Sequence, residues 1–203
     1  HRKTSYKPRP TVEVTRDLFS EASDPDCVTF YCDGSCAPTN PGVVGWSFVT
    51  TTGDKCYGGE PFGTNNQAEL WGVIFSLRHA AEMYPGKKIK IISDSQYAIR
   101  GCSQWMQNWK RNGWRTKTGD VKNVDLWKIL DSLICEIENV EFSWVKGHNG
   151  NEWNELTDTL AAEGRIRQSR VFVPGKTERR DSNYGRLEIA SYQGDDGLPG
   201  CAS

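Results

Sequence analysis

The chain has 203 residues, 36 % of them hydrophobic, and a formal net charge of −1. That length supports one sizeable core with tails, the near-zero charge gives no global argument for a polyanionic partner, and no apolar run approaches membrane-spanning length, so a membrane partner is not expected. Seven cysteines, an odd count at no CxxC spacing, read as the reduced thiols of an intracellular protein rather than a disulfide or zinc framework.

The chain opens at His1 rather than a methionine, so its natural start, with any targeting signal, is expected to lie upstream. Residues 1–27 are polar and broken by Lys7-Pro8-Arg9-Pro10 and Asp24-Pro25-Asp26, as in an extension or linker. Val28 to Asp33 alternates well enough for a strand. A second strand runs through Trp46, Phe48 and Val49 after the Asn40-Pro41-Gly42 turn, and a shorter third passes through Cys56 and Tyr57. Tight connections make these three an antiparallel meander. Thr64 followed by Gln67 has the form of a capping box, and Leu70, Val73, Ile74 and Leu77 give one helical stripe, so a helix is expected from about Asn65 to Tyr84, stopped by Pro85-Gly86. Glu69 sits beside that stripe, where an acid near a helix start has an ordinary dipole explanation.

Ile89 to Asp94 is a fourth strand, and the helical crossover before it favours a parallel neighbour. Ser95 can cap a short helix, and another runs from Gln104 to Lys110. Asn123 is placed to cap an amphipathic helix with Leu126, Ile129, Leu130, Leu133, Ile134 and Ile137 inward. Val140, Phe142 and Trp144 alternate in a fifth strand, followed by the loop Lys146-Gly147-His148-Asn149-Gly150 and a last helix from about Glu152 to Arg167. The pattern predicts an α/β domain over residues 28–167, with a mixed five-stranded sheet (three antiparallel strands plus two parallel) flanked by helices. Residues 168–203 form a polar, Gly-rich C-terminal extension. Tails of this length invite a protein partner that orders them.

Asp33 ends the first strand and Asp94 the fourth. If these strands are parallel neighbours, both acids leave one edge of the sheet, where ligand sites of α/β folds tend to lie. A helix packed on the sheet can bring Glu69 to that edge; Asp158 lies in the last helix. Taken singly each acid is as well explained as a cap or a solvated surface group. Gathered together, carboxylates repel unless a cation or raised pKa values intervene, and hard oxygen ligands suit Mg²⁺ or Mn²⁺ rather than zinc. Two such ions about 4 Å apart would clamp the attacking and leaving oxygens of a phosphodiester displacement.

The segments around these acids also resemble a family. Tyr31-Cys32-Asp33-Gly34-Ser35, Thr64-Asn65-Asn66-Gln67-Ala68-Glu69-Leu70, Ser93-Asp94-Ser95-Gln96-Tyr97, Val145-Lys146-Gly147-His148 and Asn154-Glu155-Leu156-Thr157-Asp158 stand in the order seen in type 1 ribonuclease H, the cellular enzyme that cleaves the RNA strand of RNA–DNA hybrids. The resemblance implies the ribonuclease H-like fold and two-metal-ion hydrolysis giving 5′-phosphate and 3′-hydroxyl ends. It also implies two Mg²⁺ ions, with Mn²⁺ as the alternative, held by Asp33, Glu69, Asp94 and Asp158. His148 would assist proton transfer and product departure.

Residues 100–128 carry seven Lys/Arg against two Asp, a local +5 inside an otherwise acidic stretch. Cations there bind phosphates by charge and counterion release, and Trp faces can stack on bases. Trp105 and Trp109 are also spaced as a local core stripe, so a division between structural and strand-contacting tryptophans is expected. The segment resembles the basic protrusion with which the bacterial branch grips the DNA strand, and this makes Trp105, Trp109, Lys110, Arg111 and Trp114 substrate contacts. By the same resemblance Thr64 and Asn123 hold a DNA phosphate, while Cys36 (through its backbone), Asn40, Asn65, Asn66 and Gln96 lie along the strands, some of them at RNA 2′-hydroxyls. Phe62 stands where the family carries a phosphate-contacting Arg, which weakens that contact. Two alternatives remain: a ribonuclease-H-like structural or nucleic-acid-binding subunit of an assembly, and the ribonuclease H domain of a reverse transcriptase.

Overall fold

A computed structural model describes residues 24–147 and 150–175; the rest of the two extensions, the partner expected to order them, and His148 lie outside the described residues. Strands β1 (Cys27–Cys36), β2 (Gly42–Thr50) and β3 (Lys55–Gly63) form the expected antiparallel meander. Thr64 then caps α1 (Asn65–Met83) with a complete capping box: its Oγ1 accepts from Gln67 N at 3.1 Å, and its own N–H donates to Gln67 Oε1 at 2.9 Å. The cap sets where α1 starts, at about 1 kcal/mol. Full burial of Leu70, Val73, Ile74 and Leu77 fixes where it lies, since each such side chain contributes about 1.5–3 kcal/mol.

The crossover through α1 leads to β4 (Lys88–Ser93), parallel to β1. Ser95 caps α2 (Gln96–Arg100), which runs through a π-helical turn at Gly101–Trp105 into α3 (Met106–Arg111). A small hairpin, β5 (Arg115–Thr116) with β6 (Gly119–Asp120), completes the protrusion. Then follow α4 (Val124–Ile137), β7 (Val140–Trp144) parallel to β4, and α5 (Glu152–Arg167). Among the described residues no helix is long and apolar enough to cross a membrane.

Two expectations are corrected. The main sheet has six strands, in the order β7-β4-β1-β2-β3-β8, because β8 (Val171–Val173) adds antiparallel to the outer edge of β3. Three residues carry no readable period; backbone pairing and one hydrogen bond, Gly175 N to Asp54 Oδ1 at 2.8 Å, hold them there. The other correction is at α4. Asn123 adopts a left-handed backbone (φ 59°) and makes no side-chain cap, its amide being turned instead toward Gln67 and Tyr97.

Alternation along β1 divides the core between the two faces of the sheet. Phe30 and Cys32 pack into the main cluster with α1, α4 and the root of the protrusion, including Trp127 and Leu130. Tyr31, with Val49 and Ile92, packs against Trp153, Leu156 and Leu160 of α5. A buried polar knot lies under β8: Asp54 Oδ2 accepts from Tyr84 Oη at 2.6 Å and bonds His79 Nε2 at 2.9 Å. Burial works against the Asp54 carboxylate, yet the bonds from His79, Gly175 N and Tyr84 outweigh it and hold its pKa down at about 2.

Candidate active site

Parallel pairing of β1 with β4 brings Asp33 and Asp94 to one edge of the sheet: Asp94 follows the end of β4, and Asp33 lies two residues past the last β1–β4 pair, though β1 itself runs on to Cys36 against β2 rather than ending at Asp33. From the other face α1 delivers Glu69, the fifth residue of the helix and only 7 % exposed. It lies beyond the first turn, so its burial, rather than the helix dipole, is what has to be explained. One carboxylate oxygen from each of Asp33, Glu69 and Asp94 lies within 4.8 Å of the others. Asp158, exposed on α5, stands outside that close group of three, beside Asp33. Its helix is tied to β2 by Ser47 Oγ, which donates to Thr157 O at 2.6 Å, and its carboxyl lies close enough to Asp33 to act on that group's charge.

The electrostatics follow from the crowding. Burial, and then the charge of Asp94, push Asp33 up to about 8, although the N–H of Gly34 donates to its Oδ1 at 2.8 Å and pulls the other way; Asp158 adds to the rise. Glu69 is raised well above the carboxylate range, first by burial and then by Asp33 and Asp94. Its Oε2 is buried with no hydrogen-bond partner. A buried acceptor with no donor is costly, and a hard divalent cation among three oxygen ligands removes that cost. Asp33, Glu69 and Asp94 therefore fit such an ion, and Asp158 is placed to join from the rim.

The surroundings fix Asp94 from behind. Trp144 Nε1 donates to Asp94 O at 2.8 Å, and Val145 N to Ser93 O at 3.1 Å. Gly147 abuts the carboxyl itself: a Cβ there would stand 2.5 Å from Asp94 Oδ2. His148, the next residue, is outside the described residues.

The expected substrate contacts fall into two groups. At the lip, Asn40 Oδ1 accepts from Asn65 N at 3.1 Å, so Asn40 also satisfies the first amide of α1. Cys36 Sγ donates to Thr39 O at 3.1 Å. Asn66 and Gln96 are exposed, and Phe62, at the end of β3, is 72 % exposed. In the protrusion the tryptophans are half-buried: the Trp109 ring lies 5.1 Å from Trp127 and 5.8 Å from Trp105, and Trp114 packs on the same cluster. Their packing side is the structural one, and it leaves only part of each ring for a ligand. Lys110 Nζ pairs with Asp131 at 2.8 Å and Arg111 is exposed. Asn108, Trp109, Asn112, Arg115, Thr116 and Lys117 line an open basic groove between α3 and the β5–β6 hairpin.

The RNase H family model matches residues 25–166. The chain belongs to the RNase H family. A "Ribonuclease H" of Methylorubrum extorquens is 45 % identical over 150 residues, covering 72 % of this chain and 62 % of that protein. One from Saccharopolyspora erythraea is 43 % identical over 152 residues, covering 73 % of this chain and 96 % of its own. Among solved structures, a type 1 RNase H with the type 2 active-site motif superposes with a TM-score of 0.62 at 25 % identity, covering 74 % of this chain and 78 % of that one. The family uses divalent metal ions, which agrees with the donor set at the sheet edge. Gln67 is a functional candidate that the sequence offered only as a cap; its second bond, to a residue 56 positions away, has no local signal.

Proposed function

We propose that the protein is an endoribonuclease that hydrolyses the RNA strand of RNA–DNA hybrids, leaving 5′-phosphate and 3′-hydroxyl ends, with two Mg²⁺ ions as its cofactor and Mn²⁺ as a substitute. The observation that carries this reading is the trio of Asp33, Glu69 and Asp94 oxygens within 4.8 Å, with Glu69 Oε2 buried and unpartnered. Bound there, divalent ions supply charge neutralisation at the scissile phosphate and polarise the attacking water. Asp33, Glu69 and Asp94 would hold the metal, with Asp158 joining from the solvent side. The lip formed by Cys36, Asn40, Thr64, Asn65 and Asn66 meets the sugar–phosphate backbones and RNA 2′-hydroxyls, the groups that separate RNA from DNA. Asn123 and the protrusion take the DNA strand, Arg111 and the open groove by charge. His148 carries the proton-transfer role by virtue of its motif.

The test is a cleavage assay on a uniformly labelled RNA–DNA hybrid, single-stranded RNA and duplex DNA, with Mg²⁺ and with chelator. Hybrid cleavage that requires the metal and spares the other two is expected. Hybrid binding without cleavage would overturn the enzymatic reading in favour of a binding subunit.

A further inference from the structure

Gln67 engages two partners with one side chain. Its Oε1 accepts from Thr64 N at 2.9 Å, closing the capping box of α1, while its Nε2 donates to Asn123 Oδ1 at 3.2 Å. Asn123 Nδ2 in turn donates to Tyr97 Oη at 3.0 Å. The Asn123 backbone is left-handed at φ 59° and its side chain caps nothing, so its amide is oriented entirely by these two neighbours. A side-chain amide has one acceptor end and one donor end with two hydrogens. Gln67 holds the acceptor end and Tyr97 takes one hydrogen, so one donor of the amide remains for a ligand.

We infer that Gln67 is a positioning residue for hybrid binding: it fixes the orientation of the Asn123 amide where the protrusion joins the helix that carries Glu69. The inference rests on the proposed role of Asn123 as a contact to the DNA strand. Its geometry explains why a polar residue is useful here at all. The chain Thr64–Gln67–Asn123–Tyr97 links the first turn of α1, through Gln67 two residues from Glu69, to α2, three residues from Asp94, and to the exit of the protrusion. Without Gln67, the Asn123 amide keeps only its bond to Tyr97, and nothing holds its acceptor end toward α1.

A double-mutant cycle tests it, read as Kd for a fluorescent RNA–DNA hybrid in Ca²⁺, so that binding is scored apart from cleavage. Gln67→Met and Asn123→Ala should each weaken binding about three- to tenfold, the scale of one lost hydrogen bond. In the Asn123→Ala background, Gln67→Met should add nothing. Gln67→Glu separates the two ends: its carboxylate still caps Thr64 N but cannot donate to Asn123, and its added charge acts in both backgrounds and cancels in the cycle. Effects that multiply, or a Gln67→Glu cycle with no coupling, would overturn the inference, as would an Asn123→Ala protein that binds normally. Coupled binding defects in a protein that cleaves nothing would leave the inference standing and remove the enzymatic reading.

Discussion

Gly34 and Glu69 meet backbone to backbone: a Cβ on Gly34 would lie 2.3 Å from the amide nitrogen of Glu69. No rotamer change relieves a contact with main chain, so β1 and α1 would have to part. Gly34→Ala should therefore cost stability at or above the upper end of the usual overpacking range of about 1–3 kcal/mol. It should also lower kcat more than a destabilised but correctly assembled site would, because Glu69 moves away from Asp33. Urea unfolding together with kcat at a temperature where the variant is folded checks both.

Asp33→Asn and Asp94→Asn each remove a charge from the metal cluster without changing its volume. Cleavage should fall by about a thousandfold or more, since several kcal/mol of transition-state charge stabilisation are withdrawn, while hybrid Kd stays within a few-fold. Turnover near that of the unmodified protein in either variant would sink the assignment of the cluster.

Metal and pH act on the same carboxylates. Asp33 is held up to about 8 by burial and by Asp94, against an ordinary value of 3.8. Between those values the folded, metal-free protein keeps a proton that the unfolded chain has released, so its stability falls as pH rises from about 4 to about 8. A divalent cation competes with that proton and gains affinity as pH rises. The rise in Tm on replacing EDTA with Mg²⁺ should be larger at pH 8 than at pH 6, and Glu69→Gln should shrink it.

Asp54 titrates with the opposite sign. Its folded value, about 2, lies below the ordinary 3.8, so the knot under β8 contributes fully above about pH 4 and is lost as pH falls toward 2. Asp54→Ala strands His79 and Gly175 N and leaves Tyr84 Oη only its bond with Thr52 Oγ1. It should cost about 2–4 kcal/mol, the penalty for leaving buried groups unpaired, with kcat at low temperature unchanged because the knot is remote from the sheet edge that holds Asp33. Chemical denaturation at pH 7 and pH 3 measures both statements: the gap between Asp54→Ala and the parent protein should narrow at the lower pH.

Most of the domain was legible because its signals are local. The Thr64–Gln67 box and the Leu70-Val73-Ile74-Leu77 stripe place α1 to within a residue, and the acids that follow the paired stretches of β1 and β4 declare the sheet edge. What escaped is non-local. β8 exists only because β3 has a free edge and Asp54 an unused oxygen. Asn123 looks like a cap until Gln67 and Tyr97 claim its amide. The half-buried setting of Trp109 depends on Trp127, and that of Trp105 on Tyr97 as well as Trp109, contacts with no signal in the local sequence.

The sixth strand also bears on solubility. β3 would otherwise present a row of unpaired backbone groups at the rim of the sheet, the template on which sheets of separate molecules join edge to edge. β8 occupies that row from Lys55 to Tyr57 and is short, which limits how far pairing can propagate past it. A protein trimmed to the family's matching span, residues 25–166, would keep every carboxylate at the sheet edge and still bare this rim. Its weakness would appear as self-association on concentration or warming, with the chemistry intact.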